Sequence, residues 1–211
     1  MAENYQLKLD KTIASVVSTG IKPRLLLHVC CAPCSSYVLE YLSHYFDITI
    51  LFYNPNISPK SEYDCRAEEL VRLTQEMPLP PSVAYRIEEY DPTSFLTIAK
   101  GLENEPEGGK RCTACYRLRL AKTAQIAAAE GYDYFTTTLS ISPLKDAVRL
   151  NTIGGELAEE YGVPYLYSDF KKREGYKRSI QLSAEYSLYR QDYCGCAFSK
   201  AEAEKRKYSK N

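Results

Sequence analysis

Short apolar runs alternate with segments of helical spacing along most of this chain, and that alternation restricts the fold more than any other feature. The first run, "LLLHV" at 25–29, is continuous, the pattern of a strand buried on both faces. After it, "SSYVLEYLSHYF" spaces Val38, Leu39, Leu42 and Tyr45 as one helix face. A second strand is predicted over 48–56, "ITILFYNPN", β-branched and aromatic and stopped at Asn-Pro. Ser58 and Pro59 read as N-cap and first position of a helix reaching about Glu76, with Glu62 and Asp64 near its positive end. A strand in "SVAYRIEEY" and a helix opened by Asp91-Pro92 come next, then an unstructured loop, "GLENEPEGGKR". The alanine-rich segment from Cys112 predicts a long helix with Leu120, Ala124, Ala127 and Ala128 on its buried stripe and Gly131 ending it. A strand in "YDYFTTTLS", a helix starting at Pro143 and a short strand, "VPYLY", complete the pattern.

Such alternation predicts an α/β fold: a mainly parallel sheet with right-handed crossovers and helices on both faces. Ligands of such sheets bind beyond the carboxyl ends of the strands, where the loop after "LLLHV" leaves. The 211 residues suffice for one domain with a proper core, and no internal repeat divides them. We expect one domain over 1–211, with an N-terminal arm over 1–23 and a polar C-terminal extension over 169–211 wrapping the site.

The loop after the first strand reads "CCAPC". The N-terminal segment lacks an apolar export core, and no stretch approaches the roughly 18 apolar residues of a membrane span, so a soluble cytoplasmic protein with no membrane partner is expected. In that reducing compartment eight cysteines read as metal ligands or redox groups rather than structural bridges. Seven of them fall in three groups: Cys30, Cys31 and Cys34; Cys112 and Cys115; Cys194 and Cys196. The spacing of Cys112 and Cys115 puts both on one helix face, at an end where thiolates are favoured. A lone cysteine is commonly a small buried hydrophobe, and Cys65 is assigned so. Structural zinc closes with four thiolates, usually two C-x-x-C knuckles; seven candidates are three too many, and one pair is C-x-C. Adjacent Cys30 and Cys31 are expected to point in different directions, which favours a four-iron four-sulfur cluster with a second redox or metal element beside it.

Six segments, "LLHVCCAPCSS", "FYNPNISPKSEYDCR", "CTACYRLRL", "DYFTTTLSISPLKD", "FKKREGYKRSI" and "LYRQDYCGC", together resemble the QueH-type, cobalamin-independent epoxyqueuosine reductases over about residues 24–199. The resemblance implies a fold similar to the adenine nucleotide alpha-hydrolase-like (HUP-like) proteins. It implies an iron–sulfur oxidoreductase of the queuosine pathway, which removes the epoxide oxygen of epoxyqueuosine at the wobble position of tRNA. ATP-dependent relatives carry a Ser-Gly-Gly phosphate loop after the first strand; cysteines stand there instead, which argues against ATP use. By motif, Cys30, Cys31, Cys112 and Cys115 correspond to ligands of a 4Fe-4S cluster. Cys194 and Cys196 then form a redox-active pair, able to close a disulfide, or join Cys34 around a second mononuclear iron. A cluster drawn from Cys31, Cys112, Cys115 and one of the C-terminal pair satisfies the same spacing.

Turning an epoxide into an alkene consumes two electrons and two protons, so an external donor of ferredoxin or flavodoxin type is implied, or a dithiol that supplies the second electron. Asp192, Tyr193 and Glu185 are the candidate proton donors. The formal charge is zero, so only local patches argue for nucleic acid; Lys171, Lys172, Arg173, Lys177 and Arg178 around Tyr176 form one, with a ring for base stacking. His28 is expected in the core at a strand end, "TTTLSIS" before a helix N-terminus, and "AEAEKRKYSKN" as a frayed tail. Two other classes fit part of the pattern: a thiol-disulfide oxidoreductase working through Cys194 and Cys196 without a cluster, and a noncatalytic zinc-binding RNA module.

Overall fold

The computed structural model describes residues 3–208. The continuous apolar run becomes β1 (Arg24–Val29), paired in parallel with β2 (Asp47–Phe52) on one side and β4 (Tyr134–Thr137) on the other. The remaining strand, β3 (Ala84–Ile87), joins β2 in parallel and completes the order β3-β2-β1-β4. Successive side chains of β1 point to opposite faces, which is why this run needs no polar positions. Leu25, Leu27 and Val29 enter one core with Ile48, Ile50 and Phe52; Leu26 enters the other with Leu51 and Phe135. All four apolar residues from Leu25 to Leu27 and at Val29 are fully buried, each stabilising by about 1.5–3 kcal/mol.

Among the described residues eight α-helices cover the two faces: α1 (Tyr5–Thr19), α2 (Ala32–Leu42), α3 (Lys60–Glu76), α4 (Thr93–Ala99), α5 (Lys110–Ala129), α6 (Ala147–Tyr161), α7 (Gly175–Glu185) and α8 (Ala197–Tyr208). The arm is thus a helix, and Leu9, Ile13 and Val16 of α1 join the first core beside Val38, Leu39 and Leu42 of α2. The second core packs Leu120, Ala124 and Ala127 of α5 against Leu150, Ile153 and Leu157 of α6. Ala128 is exposed, and Thr123 and Ile126 are buried instead, because the stripe drifts around the helix at 3.6 residues per turn.

Several boundaries differ from expectation. Cys31 is itself the N-cap of α2, with Pro33 in the first turn, so that helix starts three residues before "SSYVLEYL". Pro59, not Ser58, caps α3. Asp146 caps α6 by accepting from Arg149 N at 3.0 Å, so the helix begins at Ala147 rather than Pro143. "VPYLY" contributes one parallel bridge, Phe135 to Tyr165, because the Leu166 carbonyl accepts from the Thr136 hydroxyl at 2.8 Å instead of a backbone N–H. Cys65 is exposed on α3 and not in the core. The expected frayed tail is helical through Tyr208, with Ala203 buried and Lys207 paired to Asp192 at 2.7 Å; 209–211 lie outside the described residues. Among the described residues no helix is long and apolar enough to cross a membrane.

His28 ties the carboxyl ends of the strands together. It is fully buried; Nε2 lies 3.1 Å from the Tyr53 carbonyl and Nδ1 2.9 Å from Thr137 Oγ1. A carbonyl only accepts, so Nε2 carries the proton and the Thr137 hydroxyl donates to Nδ1. Burial, reinforced by the Arg119 charge, pushes the His28 pKa down to about 3 from 6.5. The unfolded chain binds a proton there below about pH 6.5 and the folded chain does not, so this contribution is complete above pH 6.5 and is lost as pH falls towards 3. Between pH 7 and 5 the loss amounts to about 2 kcal/mol. Urea unfolding at both pH values should show that drop in the native sequence and a smaller one in His28→Gln; equal drops would disprove the buried neutral imidazole.

Candidate metal and redox site

Cys30 directly follows β1, and the extended Cys31 backbone (φ −169°) turns its side chain back over the strand end. The two sulfurs consequently lie 3.7 Å apart, not pointing away from each other as the sequence suggested. Cys34, in the first turn of α2, brings in a third sulfur, and all three lie within 4.8 Å of one another. Hydrogen bonds from the Cys31 and Cys34 thiols hold the Cys30 pKa well below its ordinary value, with the Arg119 charge adding to the effect. The bond between Cys30 and Cys31 can carry its proton on either sulfur; we place the negative charge on Cys30, where the positive potential of Arg119 falls. Cys31 and Cys34 are correspondingly pushed up, first through their bonds to Cys30 and then through burial.

Cys112 and Cys115 sit in the first two turns of α5, as predicted. With Cys194, Cys196 and Arg119 they line one small space beside Phe95 and Tyr116. Cys112 Sγ accepts from Gly108 N at 3.2 Å, and Cys196 Sγ from Ser199 N at 3.3 Å. Burial pushes the Cys115 thiol up to about 12 and the Cys196 thiol up to about 11. Cys194 also lines the larger cleft of about 330 Å³ that Cys30, Cys31 and Cys34 border. It therefore belongs to both spaces. All eight cysteines are free thiols, Cys194 and Cys196 included.

The loop carrying Cys194 and Cys196 is held by its backbone. Arg66 Nη1 donates to the Cys194 carbonyl at 3.1 Å, Ser58 N to the Gly195 carbonyl at 3.0 Å, and Cys194 N to Ser199 Oγ at 2.9 Å. Gly195 has φ 113°, a conformation L side chains rarely adopt, and an added Cβ would stand 2.9 Å from Arg66 Nη1.

Sequence reasoning missed the cations around the thiols. Arg66, Arg111 and Arg119 are at most 2% exposed and Lys145 is also buried. Burial disfavours the Lys145 ammonium, yet Cys194 and Tyr116 hold its pKa above the ordinary value; Glu107 lies 3.7 Å away. One signal was present: Arg119 stands four residues after Cys115, on the stripe that faces inward.

The basic segment is mostly neutralised within the chain. Lys171 pairs with Asp169 at 3.0 Å and donates to the Ser140 carbonyl; Arg173 pairs with Asp10, Lys177 with Glu174 and Arg178 with Glu40. Lys172 is exposed at a separate hollow beside Glu3. Tyr176 lines the main cleft, as do Asp192 and Tyr193. Glu185, by contrast, is exposed at the end of α7, 4.0 Å from Arg178.

Thiols supplied by separate loops and three arginines with unsatisfied buried nitrogens beside them form a donor set that suits iron and sulfide. Fold and site together define a parallel α/β protein whose sheet mouth carries a thiol centre in place of a phosphate loop. Comparison with known proteins narrows this class: the profile of epoxyqueuosine reductase QueH matches residues 25–202. The chain is 45% identical over 205 residues to epoxyqueuosine reductase QueH of Staphylococcus epidermidis, covering 93% of this chain and 86% of that protein. It is 37% identical to the protein of that name from Thermotoga maritima, over 86% of this chain and 93% of the relative. The chain belongs to the QueH family of epoxyqueuosine reductases and is an oxidoreductase. Its fold is similar to that of a predicted subunit of tRNA methyltransferase from Methanocaldococcus jannaschii, at a TM-score of 0.51 and 14% identity over 76% of this chain and 74% of that one. At that identity the likeness concerns the fold alone.

Replacing Gly195 by alanine should destabilise the thiol loop by about 1–3 kcal/mol, the range for a strained backbone. Urea unfolding combined with the rate of thiol labelling checks this; unchanged stability and labelling would refute the steric argument.

Proposed function

We propose that this chain reduces epoxyqueuosine, carried on tRNA, to queuosine, with a 4Fe-4S cluster and a second metal element at the mouth of the sheet. The carrying observation is that seven cysteines from three distant stretches gather around two adjoining spaces that share Cys194, one of them opening into a cleft. The spacing of the sulfurs supports a division of labour. With metal–sulfur distances of about 2.3 Å, the edge of a tetrahedral mononuclear site is about 3.8 Å, and Cys30 and Cys31 stand 3.7 Å apart. Cys30, Cys31 and Cys34 are the one set of ligand atoms within 4.8 Å of one another among the described residues, which favours a single ion there. The wider group of Cys112, Cys115, Cys194 and Cys196 suits a cluster, whose ligands stand further apart around a larger inorganic core. This division differs from the motif-based one, which paired Cys30 and Cys31 with Cys112 and Cys115.

When bound, these groups supply low-potential electrons and a Lewis acid for the departing oxygen. The chain's own residues do the rest. Lys145, held as an ammonium well above neutral pH, offers positive charge at the cleft wall where negative charge develops on oxygen. Tyr193, its phenol raised first by burial, faces the same cleft as a proton donor. Conversion of the epoxide to the alkene takes two electrons and two protons and releases water; the electrons come from an external donor of ferredoxin or flavodoxin type. The cleft wall carries Tyr176 for base stacking, and Lys171, Lys172, Arg173, Lys177 and Arg178, outside the cleft lining, are the phosphate footprint, with Lys172 exposed and the other four paired internally.

Anaerobic purification tests the reading. Iron and acid-labile sulfide should accompany the protein, be lost in Cys112→Ala and Cys194→Ala, and persist in Cys65→Ala; a colourless protein with one zinc would refute it. Expression in a strain lacking its own reductase should restore queuosine to tRNA, and Lys145→Gln should lower turnover by about 10²-fold or more, the scale of one lost electrostatic donor. Lys172→Ala should weaken tRNA binding and lower its salt slope by about 1; an unchanged slope would remove Lys172 from the footprint.

A further inference from the structure

Buried side-chain atoms without a hydrogen-bond partner are rare and call for explanation. Three such atoms are arginine nitrogens, Arg66 Nη2, Arg111 Nε and Arg119 Nη2, and each arginine borders the thiols. Two of these cations have carboxylates: Arg66 pairs with Glu62 at 2.7 Å and Arg111 with Glu202 at 3.6 Å. Arg119 pairs with none among the described residues. Its Nε donates to the Cys115 carbonyl at 3.3 Å and its Nη1 approaches Asn54 Oδ1 at 3.4 Å, which fixes the guanidinium plane and leaves Nη2 free. Arg119 is 0% exposed, so no solvent reaches that N–H. Arg117, two residues earlier, is exposed and meets Glu156 and Glu160. Cys112, Cys115, Cys194 and Cys196 line the space that Arg119 borders. A fully buried cation needs a counter-charge, and here sulfur is what surrounds it.

We infer that Arg119 is the electrostatic partner of the iron–sulfur group, donating its free Nη2–H to a sulfur of that group or of its thiolate ligands and thereby raising the group's reduction potential. The inference rests on the cluster reading above. A fixed positive charge in a dry site favours whichever oxidation state carries more negative charge, and reduction adds one electron. An N–H donated to sulfur acts in the same direction. Arg66 and Arg111, whose charges are offset by carboxylates, contribute less.

A potentiometric titration of the anaerobically prepared protein, followed by electron paramagnetic resonance, reads the effect. Arg119→Gln should shift the ratio of reduced to oxidised cluster at fixed potential at least tenfold towards oxidised, which for a one-electron couple is 59 mV. Arg119→Lys should recover part of that shift, and Arg117→Gln should show none. An unchanged midpoint in Arg119→Gln overturns the inference. Should both Arg119 variants lose the cluster, the native protein decides: grown with ¹⁵N-labelled arginine and reduced, it should show a weak ¹⁵N hyperfine coupling to the cluster, and its absence overturns the inference equally. Failure of the underlying reading is distinguishable, because native protein without iron and sulfide would reveal it before any substitution is made.

Discussion

Burial of β1 on both faces is the constraint from which the rest of the molecule follows. Parallel neighbours occupy both edges of the strand, and helices close over both its surfaces. Its carboxyl end is left as the place where chain, helix N-terminus and solvent meet. The strand order reverses direction between β1 and β4, so a crevice opens there by topology alone. Cys30 and Cys31 occupy the first two positions of that crevice. His28, the last but one residue of β1, pins the carbonyl of Tyr53, just past β2, and Thr137, the last residue of β4, so that the rim is braced across three strand ends.

The second organising problem is charge. Thiolates removed from water cost several kcal/mol per ion unless opposite charge is placed nearby. The fold meets this with Arg66, Arg119 and Lys145 set around the sulfurs, and ties Arg111 to the carbonyls of Leu102, Glu103 and Glu105. The zero formal charge of the chain hides this separation. Among the described residues four positive side chains sit inside, where charged residues are rarely found. The visible basic run around Tyr176, by contrast, lies outside and is largely matched by its own carboxylates.

How much of this was legible in the sequence depended on whether the signal was local. The continuous run at 25–29, the Cys112 and Cys115 pair on one helix face and the terminator at Gly131 are decided within a few residues, and the structure agrees at each. The first turns of α2 and α6 shifted because Cys31 and Asp146 act as caps, and a cap is recognised by backbone geometry as much as by residue type. Cys65 was misplaced because its helix face is set by what α3 packs against. The partnership of Cys194 with Cys112 and Cys115 stood in the sequence only as one of two groupings, because it joins segments about 80 residues apart through a backbone-held loop, and no period or spacing chooses between them. The resemblance to a known family carried the activity, whereas the arginines that make a buried thiol centre tolerable needed coordinates.

Cys194 completes two spaces from the far end of the chain, and this has a consequence for biogenesis. During synthesis Cys34 leaves the ribosome 160 residues ahead of Cys194, an interval of roughly 10–30 s at usual elongation rates. Through that interval the early thiols and their counter-cations have no cover, and neither space is closed. The space lined by Cys112 and Cys115 is therefore completed only in the finished polypeptide, whereas Cys30, Cys31 and Cys34 emerge together.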